Sequence, residues 1–138
     1  MKVFLINSND AFGKRMQASI REALSDVPVQ VITVDSLLKD SEGGSVWASL
    51  VSDAIESSDL VIADVSARNP NVLYELGFAH ALRKPTILLV NSQSHQHMPS
   101  DLAHMFYLSY DPEDLSTLGS YVRHNVVGRA GRTVKMRG

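Results

Sequence analysis

The stretch from Asp59 to Val90, DLVIADVSARNPNVLYELGFAHALRKPTILLV, restricts the fold more than any other part of the chain, because every boundary in it is chemically marked. Leu60 to Ala63 is a short apolar run rich in branched residues, which suits a strand covered on both faces and suits a solvated hairpin poorly. The strand ends at Asp64. Asn69 is a suitable N-cap and Pro70 a suitable first helical residue, since proline's missing N–H would be unpaired there anyway. The helix predicted from Pro70 is apolar almost all round, from Val72 and Leu73 to Ala81 and Leu82, and stops before Lys84-Pro85. Such a helix has to be buried. Thr86 to Val90 then returns as another apolar strand.

Glu75 contradicts that burial. It sits in the second turn of a helix that offers nothing else strongly polar between Val72 and Ala79, and a buried carboxylate is costly unless something pairs with it. Two roles fit it. In one, the carboxylate points along the helix to solvent or accepts from loop amides, helped by the positive end of the helix dipole. In the other, it lines a pocket at the carboxyl ends of the strands, where open parallel sheets bind ligands.

The remaining chain repeats the strand-helix alternation. Lys2 to Ile6 is predicted as the first strand, followed by the turn-prone loop Asn7 to Gly13 and a helix over about Gly13 to Ser25. A strand running through a small-polar loop into a helix suits a phosphate or carboxylate, although neither a P-loop nor a dinucleotide fingerprint is present. Val29 to Val34 is the second strand, and after the loop ending Gly43-Gly44-Ser45 a helix is predicted from about Val46 to Ser57. Trp47 on it is a core residue or a pocket lid. Met105 to Ser109 reads as a fifth, edge strand, and Asp111 with Pro112 opens a last helix ending near Val122. Short connections between alternating strands and helices imply a parallel sheet with helices on both faces. The expected fold is therefore a single-domain α/β, flavodoxin-like or Rossmann-like three-layer sandwich with a five-stranded sheet in the order 2-1-3-4-5. Its switch point lies between strands one and three, bordered by Asn7 to Gly13 and by Asp64 to Asn71.

Composition narrows the function. With no cysteine among 138 residues, disulfide frameworks, thiolate zinc sites and cysteine nucleophiles are excluded. His95 and His97 form an HxH pair without a carboxylate at ligand spacing, so no metal is expected. The apolar run after Met1 is too short for a signal-peptide core or a membrane span, and a cytoplasmic location is expected. All 15 acidic residues and 8 of the 13 Lys and Arg precede Arg123, whereas residues 123–138 carry five cations and no acid. This divides the chain into a domain over 1–122 and a basic tail over 123–138. The tail lacks aromatic residues to stack on bases, so nucleic acid is not the expected partner.

The run ADVSARNPNVLYELGFAHALRKPTILL, with GGSVWASLVSDAIESSDLVI before it and MPSDLAHMFYLSYD after it, resembles the bacterial nucleoside 2-deoxyribosyltransferase-like proteins and their TIR-like relatives. The resemblance covers about Lys2 to Leu118, and YELGFAHA is its most specific part. It implies that Glu75 attacks or stabilises the anomeric carbon of a ribose while an N-glycosidic base departs, as the oxocarbenium-like charge of that step requires. The implied ligand is a nucleoside, a nucleotide or NAD, the last as substrate and not as cofactor. By the same resemblance Ser8, Asn9 and Gly13 position phosphate or sugar, and Asn69, Asn71 and Tyr74 line the ligand. The family's acid six residues before the glutamate is Asn69 here, and its acid on the preceding helix falls at about Val51. Asp64 and Asp53 are the nearby carboxylates, and Asp64 is the candidate second catalytic group. The alternative is a TIR-like nucleotide-binding or signalling module without turnover. Surplus apolar area on the Glu75 helix, with Trp47 and Phe106, implies a homodimer or larger homo-oligomer.

Overall fold

The computed structural model describes residues 1–38, 47–66, 69–94 and 107–137. The expectations for the loop ending Gly43-Gly44-Ser45, for His95, His97 and His104, and for Phe106 fall outside them, as does the side chain of Trp47. Among the described residues no helix is long and apolar enough to cross a membrane, and no cluster of metal-ligating side chains occurs.

Five strands form one sheet: β1 (Lys2–Ile6), β2 (Gln30–Ile32), β3 (Leu60–Asp64), β4 (Thr86–Asn91) and β5 (Tyr107–Tyr110). All pairings are parallel, in the order β2-β1-β3-β4-β5. Both faces are covered, which is why β1, β3 and β4 read as continuous apolar runs instead of alternating ones. Val3, Leu5, Leu60 and Ile62 pack under α1 (Ala11–Ala23) and α5 (Leu115–Arg137). Phe4, Ile6, Val61 and Ala63 face α3 (Trp47–Ser57) and α4 (Pro70–Ala81). A short α2 (Val34–Leu38) follows β2.

Several boundaries differ from the sequence expectation, each of the following for a local reason. α1 starts at Ala11, because Asp10 accepts from Gly13 N at 2.7 Å and caps it. β2 stops at Ile32, because Thr33 and Ser36 bond each other's backbone amides and turn the chain into α2. The last helix begins at Leu115 and not at Asp111. Asp111 and Pro112 form a turn in which Asp111 Oδ1 accepts from Glu113 N, while Asp114 caps the helix through Thr117 and Ser116. α5 also runs on past Val122 through the residues read as a tail. Val126 is buried against the core there, and Arg123 donates to Ala23 O at the end of α1 and pairs with Asp26 just beyond it.

Candidate active site

α4 is fixed at both ends by its own sequence. Asn69 Oδ1 accepts from Asn71 N at 2.9 Å, and Pro70 occupies the first turn. At the other end Arg83 takes a left-handed conformation with φ 57°, Arg83 N donates to His80 O, and Lys84 N donates to Ala79 O. This is the paired closing motif that satisfies the last carbonyls of a helix. Between these stops Val72, Leu76 and Ala79 pack on the sheet, and Glu75 goes in with them at 5 % exposure.

The Glu75 carboxylate has no hydrogen-bond or ion-pair partner among the described residues, and burial pushes its pKa up from the ordinary 4.5 to about 7. Two hollows meet at it. The first, about 190 Å³, lies at the carboxyl ends of β1 and β3 and is lined by Asn7, Asn9 and Gln17 on one side, Val34 and Asp35 on another, and Asn69, Asn71, Val72 and Glu75 on a third. The second, about 220 Å³, lies between α3 and α4 and is lined by Ser49, Val51, Ser52, Ile55, Tyr74, Glu75 and Phe78. Of the two roles left open for Glu75, the structure shows the second: the carboxylate lines the crevice at the switch point of the sheet.

Asn9, Asn69 and Asn71 line the crevice, and Tyr74, 70 % exposed, lines the second hollow. Ser8, Gly13 and Asp64 do not line either hollow. Ser8 Oγ donates to Asp10 Oδ1 at 3.1 Å, and Gly13 N donates to the same oxygen. The N-terminus of α1 thus already holds the Asp10 carboxylate at the Gly13 amide. Gly13 serves packing, because a Cβ there would stand 1.9 Å from Ser8 O.

Asp64 ends β3 on the face away from α4. Its Oδ1 accepts from Ser66 N and Oγ, and its Oδ2 from Tyr110 Oη at 2.8 Å. Burial raises its pKa, and the bonds from Ser66 and Tyr110 oppose that rise. Ser66 Oγ in turn accepts from Asn91 N at 2.7 Å, so Asp64 ties the loop after β3 to the end of β4. Sequence reasoning did not single out Asn7, Gln17 or Asp35. Asn7 is the anchor of the crevice wall, donating to Gly13 O at 2.9 Å and accepting from Gln17 Nε2 at 3.0 Å. The signal for Asp35 was available as an acid directly after an apolar strand, at the same crevice edge as Asn7.

A five-stranded parallel sheet in this order, with helices on both faces, is the fold of solved nucleoside 2-deoxyribosyltransferase and N-glycosidase structures. The solved structures that share it include CMP N-glycosidase BcmB from Clostridium botulinum, at 23 % identity and a TM-score of 0.66, over 88 % of this chain and 99 % of that one. A 2-deoxyribosyltransferase from Bacillus psychrosaccharolyticus matches at 18 % identity and a TM-score of 0.58, over 84 % of this chain and 90 % of that one. A second 2-deoxyribosyltransferase, from Leishmania mexicana, matches at 18 % identity and a TM-score of 0.55, over 64 % and 63 %. No protein-family model and no curated sequence matches the chain.

Proposed function

We propose that this chain is an enzyme that breaks the N-glycosidic bond of a nucleoside, a nucleotide or NAD, with the Glu75 carboxylate as nucleophile or as stabiliser of the oxocarbenium. The observation that carries the reading is a largely buried glutamate whose carboxylate has no partner among the described residues and opens on the switch-point crevice. Packing alone would place a leucine there, and a carboxylate with no protein partner in the free chain gains one when positive charge develops beside it. As the C–N bond breaks, its electron pair leaves with the base nitrogen. The anomeric carbon is then captured by Glu75 or held beside it until water or a second base adds. Asn69 and Asn71 line the same crevice as Glu75, and in this reading they hold sugar hydroxyls. The N-glycosidase and deoxyribosyltransferase chemistry of the structural neighbours supports the reading. Incubation with a panel of deoxynucleosides, nucleoside monophosphates and NAD should release free base from at least one class; a panel with no free base would remove the reading.

The enzyme is further proposed to act as a homodimer through α4. Tyr74, Gly77 and Leu82 leave an exposed stripe on the outer side of the Glu75 helix, and Phe78 is only partly buried beside it. A Cβ at Gly77 meets nothing within 4 Å, so Gly77→Arg should fold as the parent does while obstructing a close approach of two copies. Light scattering is expected to give twice 15.1 kDa for the parent and a single-chain mass for the variant. A mass near 15.1 kDa for the parent at all concentrations would rule out the dimer.

A further inference from the structure

The crevice carries a second carboxylate. Asp35, in the first turn of α2, lines the same hollow as Glu75, and among the described residues no hydrogen bond or ion pair occupies it. No Lys or Arg is among the described residues lining that hollow. An unpaired carboxylate facing a half-enclosed cleft offers acceptors only, so whatever lies against it has to bring N–H or O–H donors or leave it unsatisfied.

The placement of the sugar decides which part of the ligand that is. If the anomeric carbon meets Glu75 and the sugar lies along Asn69 and Asn71, the base extends from the anomeric carbon across the hollow, towards Val34 and Asp35. Val34 gives an apolar surface for a ring face, and Asp35 stands beside it to meet the ring edge. We propose that Asp35 reads the leaving base and selects bases bearing an exocyclic amino group over their oxo counterparts. This rests on the N-glycosidase reading for the orientation of the ligand. An amino group donates to the carboxylate. A carbonyl at the same ring position turns a lone pair towards it and leaves both groups unpaired there, and the ring N–H that the oxo base gains lies to one side of that position; sites built for a hydrogen bond reject such analogues strongly.

The test uses sugar-matched pairs in which the exocyclic amino group becomes a carbonyl and the neighbouring ring nitrogen gains a proton, cytidine against uridine and adenosine against inosine. Base release is measured on the parent, and calorimetric binding on Glu75→Gln to prevent turnover. The amino member of at least one pair is expected to be preferred by tenfold or more, the scale of one hydrogen bond to a charged group. Asp35→Asn and Asp35→Ala should reduce that preference at least tenfold, with an unchanged melting temperature. An equal loss for both members of a pair would assign Asp35 to the sugar and overturn the proposal. So would an unchanged ratio, or a protein that binds none of the four. The two readings separate cleanly. A binding preference that depends on Asp35, without base release, keeps this proposal and removes the glycosidase. Glu75-dependent base release with a ratio indifferent to Asp35 does the reverse.

Discussion

Glu75→Gln is expected to lower turnover of the accepted substrate by at least about a hundredfold, because glutamine keeps the shape and hydrogen bonding but removes the charge that meets the oxocarbenium. The pH dependence should follow the same group. Glu75 ionises near pH 7 in the folded chain, so the parent's rate should rise with pH through about 7, and the residual rate of the variant should lack that limb. The sign for stability is opposite. With the folded pKa raised from 4.5 to about 7, the folded state holds the proton more tightly than the unfolded state, and stability falls as pH rises through that window. Thermal denaturation at pH 5 and pH 8 should show this decline in the parent and its reduction in Glu75→Gln, which should be at least as stable as the parent at pH 8. Undiminished turnover in the variant would take the reaction away from Glu75 and sink its assignment.

Gly13→Ala should be the most damaging single methyl in the loop after β1. Its Cβ would stand 1.9 Å from Ser8 O and 3.0 Å from Ser8 C, both backbone atoms held between β1 and the Asp10 cap, so the loop or the first turn of α1 has to move. Overpacking of this kind costs about 3 kcal/mol where no flexible side chain can give way, which for a chain of this size lowers the melting temperature by roughly 10 °C. Gly77→Ala is the matched control: its Cβ meets nothing within 4 Å, and removing a glycine from a helix interior should stabilise by roughly 0.5–1 kcal/mol. Circular-dichroism melts of both variants check the pair. If Gly13 served a ligand and not the packing, Gly13→Ala would melt with the parent and lose only binding.

The sheet order and the α4 boundaries were legible in the sequence because local chemistry and hydrophobic pattern agreed there. Asn69, Pro70 and the Lys84-Pro85 stop each mark a boundary, and β3 and β4 on either side are uninterrupted apolar runs. Asp111-Pro112 misled because the pair fits a turn as well as a helix start, and the choice was made three residues on by Asp114, whose side chain reaches Ser116 and Thr117. The length of α5 was hidden for a different reason. A basic segment without acids looks solvated, and only the burial of Val126 and the Arg123 contact with Asp26 reveal that α1 supports it. At the site, burial could be inferred for Glu75 from its apolar neighbours. Asp64 could not be separated from it, since the face to which a strand's last residue points depends on register. The parallel pairing of Asp64 with Leu89 and the reach of Tyr110 from β5 turned that carboxylate away from the crevice.

A carboxyl group that is half ionised near neutrality makes ligand binding a proton-exchange event. A neutral nucleoside that covers Glu75 and excludes water from it makes the charged form costlier still, so the complex should take up a fraction of a proton from the buffer. A ligand that brings positive charge to the carboxylate should release a fraction instead. Binding enthalpies measured in two buffers of different ionisation enthalpy would then differ by that fraction, and the sign of the difference would tell which part of the ligand has come to rest against Glu75 before any bond is broken.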